Sequence, residues 1–230
     1  MNELLMNSVY FGFAATMGAY LLGIEIKKKT NLAIMNPLLV AVVLIISFLL
    51  VFRIDYKVYQ AGSQYISFLL TPATVCLAIP LYKQLSLLKD NLGAVAGGIF
   101  SGVLASAFSI FILSKLFGLS HEYYVTLLPK SITTAIGMGV SEEAGGIVAL
   151  TVVSIIITGI LGNVIGETVF KLFKITNPIA KGLALGTSAH AIGTSKALEL
   201  GDVEGAMGSL AIAVAGLMTV AVVPLAAGWI

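Results

Sequence analysis

Long apolar runs, separated by short charged segments, restrict the fold of this chain more than any other feature. A helix needs about 20 apolar residues to cross a bilayer. The runs nearest that length are Leu4–Ile24, Asn36–Phe52, Asn91–Phe117, Ile147–Phe170 and Gly205–Trp229. Only 10% of the residues are charged, against about a quarter in soluble domains. The sequence therefore predicts an all-α polytopic membrane protein with about seven or eight helical segments.

Three other apolar segments carry residues that interrupt a helix. Segment 65–88 contains T-P-A-T at residues 71–74 and a second proline, Pro80, while segment 123–140 contains Pro129. Because each proline removes a backbone donor, we expect segment 65–88 to be broken and segment 123–140 to be re-entrant or broken. Between the second run and segment 65–88, we expect Arg53–Ser63 to form a short polar loop.

The third interrupted segment, 183–200, contains the most polar stretch of an otherwise oily sequence, G-T-S-A-H-A-I-G-T-S-K. If this stretch is helical, Thr187, His190 and Thr194 share one stripe, because they are three and four residues apart. Lipid offers no hydrogen bonds, so such a stripe must face a partner, water or a solute. We predict a broken helix whose polar face lines a solute site.

Charge placement predicts the orientation of the segments. Cytoplasmic loops collect Lys and Arg, which places Lys27–Lys29, Lys83, Lys89 and Lys171–Lys181 inside. The acidic turns Glu142–Glu143 and Glu199–Glu204 then lie outside. This assignment holds only if segment 123–140 leaves the membrane on the face where it enters. The alternative is a full span there, with a weak charge rule in the second half.

The motif at residue 71 and the T-S-A-H motif at residue 187 are 187 − 71 = 116 residues apart, close to half of the 230 residues. The order of apolar, charged and interrupted segments is similar on both sides. We therefore predict two inverted-topology repeats in one membrane domain, residues 1–117 and 118–230. Broken helices that meet near the membrane midplane are typical of secondary transporters with such repeats.

The interrupted segments supply the candidate site. Broken helices have free N–H groups that attract anions, and nearby hydroxyls can bind carboxylate oxygens. The predicted substrate-binding residues are Thr71, Pro72, Ala73, Thr74, Lys130, Thr133, Thr134, Gly186, Thr187, Ser188, His190, Thr194, Ser195 and Lys196. Lys130 and Lys196 are candidates to neutralise the anion, or they reach the headgroups from helix ends. Thr133 and Thr134 either line a cavity or bond to their own helix.

The other ionisable residues are candidates for coupling or gating. His190 is the proton-coupling candidate because imidazole titrates near neutral pH, and the alternative is a plain hydrogen bond to a neighbour. Glu142 and Glu143 are gate or coupling candidates that could equally form a solvated turn. Glu167 is a third such candidate, with a salt bridge to Lys171 as the alternative.

Signatures of enzymatic chemistry do not occur in the sequence. It has no Walker loop, HExxH or GxSxG motif, and its single cysteine, Cys76, gives no metal-ligand spacing. The basic residues form no pattern typical of nucleic-acid binding. We expect no cofactor, no metal, no nucleic-acid partner and no enzymatic activity.

Five motifs are spread over the chain: N-P-L-L at 36–39, F-L-L-T-P-A-T-V-C-L-A-I-P-L-Y at 68–82, L-P-K-S-I-T-T-A-I at 128–136, E-E-A-G-G at 142–146 and G-T-S-A-H-A-I-G-T-S-K-A at 186–197. Taken together, they resemble the LrgB/CidB family, whose plant relatives are plastidial glycolate/glycerate translocators. With no transit peptide, the chain resembles the bacterial branch. The resemblance implies a multi-pass protein of the bacterial cytoplasmic membrane with a small LrgA/CidA-type membrane partner. The glycine-rich run Asn91–Phe117 also offers a surface for a homodimer.

The resemblance implies two competing functions. One is secondary transport of small monocarboxylates such as pyruvate, glycolate or glycerate, by alternating access and with a proton as the candidate coupling ion. The other is an antiholin-like role that modulates murein hydrolase export and cell lysis. The interrupted segments with their hydroxyls and histidine favour the carrier, since a non-selective scaffold does not require them.

Overall fold

A computed structural model describes residues 10–30, 35–69, 72, 75–76 and 78–230. All the secondary structure of these residues is helical. The chain forms two compact units, Met1–Cys76 and Leu77–Ile230.

The first unit contains three described helices: α1 (Phe11–Thr30), α2 (Pro37–Val51) and α3 (Tyr56–Phe68). The side chain of Asn36 caps α2 by accepting from the backbone N–H of Leu38 at 2.8 Å, with proline at the first helical position. Helix α1 packs against both α2 and α3. The predicted loop Arg53–Ser63 is wrong: Asp55 accepts a hydrogen bond from the backbone N–H of Lys57 and starts α3.

The second unit opens with two short helices, α4 (Ala78–Lys83) and α5 (Leu85–Asp90), which are separated at Gln84. Three long helices follow: α6 (Leu92–Phe117), α9 (Val148–Leu172) and α11 (Asp202–Ala227). Of the helices that the structure describes, these three are long and apolar enough to cross a membrane. Their bounds agree with the predicted runs to within three residues.

Between α6 and α9 the chain forms a helical hairpin, named here hairpin 1, of α7 (His121–Leu127) and α8 (Thr134–Glu143). Its two ends lie together. Thr151 Oγ1 lies 2.9 Å from the carbonyl oxygen of Thr126 in α7 and 2.6 Å from Ser141 Oγ in α8, within hydrogen-bond distance of both. The backbone N–H of Ile147 donates to Thr126 Oγ1 at 2.7 Å. Segment 123–140 is therefore interrupted between α7 and α8, and it returns to the end from which it came.

Helix α10 (Pro178–Leu200) is also interrupted, because Ala189 and His190 have non-helical backbone angles. Its two arms fold back on each other. Residues eight apart are separated by about 12 Å along a straight helix, yet a β-carbon at Gly193 would collide with the carbonyl oxygen of Leu185. The segment is thus a second hairpin, hairpin 2, with arms 178–188 and 191–200.

This reversal corrects the predicted polar stripe. His190 has φ 43°, so the two arms do not continue one helix. Thr187 lies against Gly102 of α6, whereas Thr194 lies against Gly208 of α11. The helix is interrupted at Ala189 and His190, and its threonines face different neighbours.

Three apolar clusters show which helix ends lie together. One joins Val95 at the start of α6 to Leu183 and to Met207 at the start of α11. A second joins Phe170 at the end of α9 to Ala197 in the second arm of hairpin 2. A third joins the late part of α6 and both helices of hairpin 1 to Ala226 at the end of α11.

The second unit therefore has two ends. The lysine-rich end holds the starts of α6 and α11, the end of α9 and both ends of hairpin 2, with Lys89, Lys171, Lys174 and Lys181. The acidic end holds both ends of hairpin 1, with Glu122, Glu142 and Glu143. The predicted placement of the Glu199–Glu204 turn opposite Lys171–Lys181 is wrong, because hairpin 2 returns to the lysine-rich end.

Candidate functional site

A cleft of about 850 Å³ runs between α6 and the first arm of hairpin 2, inside the second unit. It extends from Asn91 and Asn177 at the lysine-rich end to Lys130 on the tip of hairpin 1. Lys130 is the one charged residue among those that line it. The lining hydroxyls are Ser101, Ser106, Ser109, Ser131, Thr187 and Ser188.

Lys130 lies in the non-helical residues between α7 and α8, where Pro129 ends the first helix of the hairpin. Its ammonium donates to Ser131 Oγ at 3.0 Å, and Ser131 Oγ lies 3.2 Å from Ser106 Oγ of α6. Within the described ranges of the chain, no carboxylate forms an ion pair with Lys130. A partly buried positive charge thus faces the cleft, and its hydrogen-bond partner in the described chain is the Ser131 hydroxyl.

Thr187 comes from the end of the first arm of hairpin 2 and is 7% exposed. Its Oγ1 has no hydrogen-bond partner among the residues described. The methyl carbon Cγ2 occupies the space that a side chain at residue 102 would need, since a β-carbon at Gly102 would lie 2.6 Å from it. A buried hydroxyl without a partner carries a desolvation cost, which a polar ligand in the cleft would relieve.

His190 stands at the tip of hairpin 2 and is 4% exposed. Its Nε2 lies 2.9 Å from the carbonyl oxygen of Ile155. A carbonyl oxygen only accepts, so Nε2 carries the proton and Nδ1 is left to titrate. The ring packs against Gly159, and it is not part of the cleft lining.

Lys196 takes no part in the cleft. Its ammonium pairs with Glu167 at 2.6 Å and with Glu199 at 3.0 Å, and its side chain is 15% exposed. The pair joins the second arm of hairpin 2 to α9. Glu167 therefore forms a salt bridge with Lys196. The sequence alone suggested Lys171 as its partner.

The remaining predicted site residues lie elsewhere. Thr133 and Thr134 are partly buried at the start of α8, and Ser195 is exposed. Gly186 packs against Gly208, and buried Thr194 Oγ1 has no partner within the described ranges. Glu142 and Glu143 are exposed at the end of α8, and Pro72 is exposed. Thr71, Ala73 and Thr74 lie outside the described residues.

Sequence reasoning missed the wall of the cleft formed by α6. Ser101, Ser106 and Ser109 line it together with Gly98 and Gly102. Helix α6 is uninterrupted, and its glycines indicate only close contact with another helix. The recurrence of serine on the same face as the glycines was the available signal.

A family model described as the LrgB-like family matches residues 16–229. The chain belongs to the LrgB-like family. This confirms the resemblance that the motifs indicated, and with the three long apolar helices it identifies a helical membrane protein. No solved structure matches the chain.

In this LrgB-like protein a second cleft, of about 390 Å³, lies on the other side of the same hairpin arm, against α9. Lys130, Ala184 and Ser188 line both clefts. The tip of hairpin 1 and the end of the first arm of hairpin 2 therefore form the wall between them.

Proposed function

We propose that this protein is a secondary carrier of small monocarboxylates, of the pyruvate, glycolate or glycerate class. The observation that carries the proposal is Lys130, a cleft-facing ammonium that lies among hydroxyls without an acidic partner in the described chain. An ammonium with hydroxyl neighbours suits one carboxylate. The cleft lining holds no second charge, so a monoanion would leave no unpaired charge.

Binding would follow from the geometry of the tip. A carboxylate that enters from the lysine-rich end would accept from the Lys130 ammonium and from hydroxyls nearby. Thr187 Oγ1, which has no hydrogen-bond partner in the described chain, would pair with another oxygen of the acid. The bound carboxylate and the ammonium neutralise each other. Moving the loaded site through an apolar environment therefore costs less free energy than moving the empty site.

Alternating access is supported by the arrangement of the hairpins. Helix α6 followed by hairpin 1 repeats as α9 followed by hairpin 2, and the two hairpins start from opposite ends. We propose that residues 92–143 and 148–200 form an inverted repeat whose tips meet at the solute. The predicted halves 1–117 and 118–230 stay a prediction.

The setting of the carrier follows from the charge rule and from the family. We propose a multi-pass protein of the bacterial cytoplasmic membrane with the lysine-rich end inside. We also propose a homodimer or a complex with a small LrgA/CidA-type membrane protein, a proton as the coupling ion with His190 as its acceptor, and no catalytic activity.

Uptake by proteoliposomes tests the proposal. The purified protein should take up labelled glycolate and pyruvate saturably, and unlabelled glycolate inside should accelerate entry by exchange. An imposed inward proton gradient should raise the rate, and His190→Gln should remove that stimulation. Trapped calcein should stay inside, because a carrier does not form an open pore.

The lysis-control function predicts the opposite pattern. Calcein release without saturable uptake would support an antiholin-like pore modulator and refute the carrier. Uptake that is unaffected by internal unlabelled glycolate would argue against alternating access.

A further inference from the structure

At the base of the large cleft lies a small hole of about 10 Å³, lined by four hydroxyl-bearing residues. They are Ser106, Ser131, Thr187 and Thr219. The first three also line the cleft, so the hole adjoins the candidate site. Thr219 comes from α11 and is 8% exposed. The rest of the lining is apolar: Val103, Ala107, Leu128, Val222 and Val223.

The size and chemistry of the hole restrict what it can hold. A volume of about 10–15 Å³ accommodates one water-sized oxygen and nothing larger. No charged residue lines the hole, so a carboxylate oxygen would lose its compensating charge there. Hydroxyls both donate and accept, so they satisfy either a hydroxyl or an oxo oxygen. Thr187 Oγ1, unpartnered in the described chain, is the donor that most needs such a group.

The hole lies close to the Lys130 ammonium, the proposed carboxylate site, because Ser131 contacts both. The Lys130 ammonium is 3.0 Å from Ser131 Oγ, and Ser131 Oγ is 3.2 Å from Ser106 Oγ. The first of these hydroxyls touches the ammonium, and both line the hole. Two oxygens on adjacent carbon atoms of a small acid are about 3 Å apart, which is the spacing of neighbouring hydrogen-bonding groups.

We propose that this hole is an oxygen subsite that selects acids with an oxygen on the carbon next to the carboxylate. Lys130 holds the carboxylate, while Thr187 and Thr219 hold the neighbouring hydroxyl or oxo group. An acid without that oxygen leaves the hydroxyls of the hole unpaired and binds more weakly. The proposal rests on the proposed carrier function and adds to it the residues that set its selectivity.

The test compares glycolate with acetate, which differ by that one oxygen. Affinities are measured by isothermal titration on the purified protein, and uptake is measured in proteoliposomes. The wild type should prefer glycolate at least tenfold, because a site that pairs with a hydroxyl rejects the analogue that lacks it. Thr187→Val and Thr219→Val should each reduce glycolate affinity by about three- to tenfold and leave acetate affinity unchanged.

Two further variants separate selectivity from damage to the fold. Thr187→Ser keeps the hydroxyl and should retain most of the glycolate preference. Thr168→Val makes the same change at an exposed position of α9 outside both clefts and should have no effect.

Equal affinity for glycolate and acetate in the wild type would overturn the oxygen subsite and leave the carrier intact. A loss shared equally by both acids in Thr187→Val and Thr219→Val would also overturn it, as expected if the hole holds only a structural water. Absence of binding and uptake of either acid would refute the carrier function itself, and the subsite with it.

Discussion

Replacement by methionine should have different effects at the two lysines of the interrupted segments. At Lys130 it should lower glycolate affinity, and at Lys196 it should lower stability. Lys130→Met keeps the length of the side chain and removes its charge. A hydrogen bond between charged groups contributes about 1.5–3 kcal/mol net, which corresponds to about 10- to 150-fold in affinity. We therefore expect glycolate affinity to fall by about 30-fold, with a smaller loss in Lys130→Arg.

Stability should not fall with affinity. Lys130 is partly buried, and its hydrogen-bond partner is a hydroxyl 3.0 Å away rather than a carboxylate, so removal of the charge relieves desolvation. The midpoint of thermal unfolding should stay the same or rise in Lys130→Met.

The assay pairs isothermal titration with thermal unfolding in the same detergent. Lys115→Met is the matched control, since Lys115 is exposed at the end of α6 outside the cleft. Unchanged glycolate affinity in Lys130→Met would refute the assignment of the anion site. A fall in both affinity and stability would show that Lys130 holds the fold together.

Two further predictions concern packing around hairpin 2. Lys196→Met should lower the midpoint of thermal unfolding by about 2–4 °C, because it removes the 2.6 Å ion pair with Glu167. An unchanged midpoint would mean that this ion pair contributes nothing to stability. Gly159→Ala should destabilise by about 1–3 kcal/mol, since the new β-carbon would lie 2.7 Å from the ring of His190. Gly97→Ala has open space and is its control; equal unfolding midpoints in the two alanine variants would contradict the packing of the ring.

The long helices could be predicted because their signal is local. The predicted runs Asn91–Phe117 and Ile147–Phe170 correspond to the helices Leu92–Phe117 and Val148–Leu172. Hydropathy and the need to satisfy the backbone in lipid are sufficient to define such spans. The helix in place of the predicted loop Arg53–Ser63 also had a local signal, the Asp55 cap, which the polar composition obscured.

The reversal of α10 could not be predicted from local sequence. Alanine is a good helix former, and histidine is tolerated within helices, so Ala189 and His190 do not mark a point where the chain turns back. The break depends on a hydrogen bond from His190 to Ile155, 35 residues away, and on the space left by Gly159. The charge rule then failed for the Glu199–Glu204 turn, because it assumed a span where the chain turns back.

The site was predictable where the sequence is unusual. Lys130 and Thr187 were singled out because a lysine or a hydroxyl-rich stretch at membrane depth is costly, and both line the cleft. Ser106 and Thr219 were not singled out, since a single serine or threonine in an apolar helix usually forms a hydrogen bond to its own backbone. Their role arises only when α6, α11 and the two hairpins are brought together.

The proposed carrier requires that the two hairpins start from opposite ends of the second unit and bring their tips together. The accessibility of single cysteines to a membrane-impermeant maleimide tests this arrangement, in a Cys76→Ser background with oriented membrane vesicles. Cysteines at Lys174 and Glu199 should label from the same side, and a cysteine at Glu142 should label from the other. If Glu199 labels with Glu142 instead, α10 crosses the membrane as one helix and the proposed meeting of the tips is wrong.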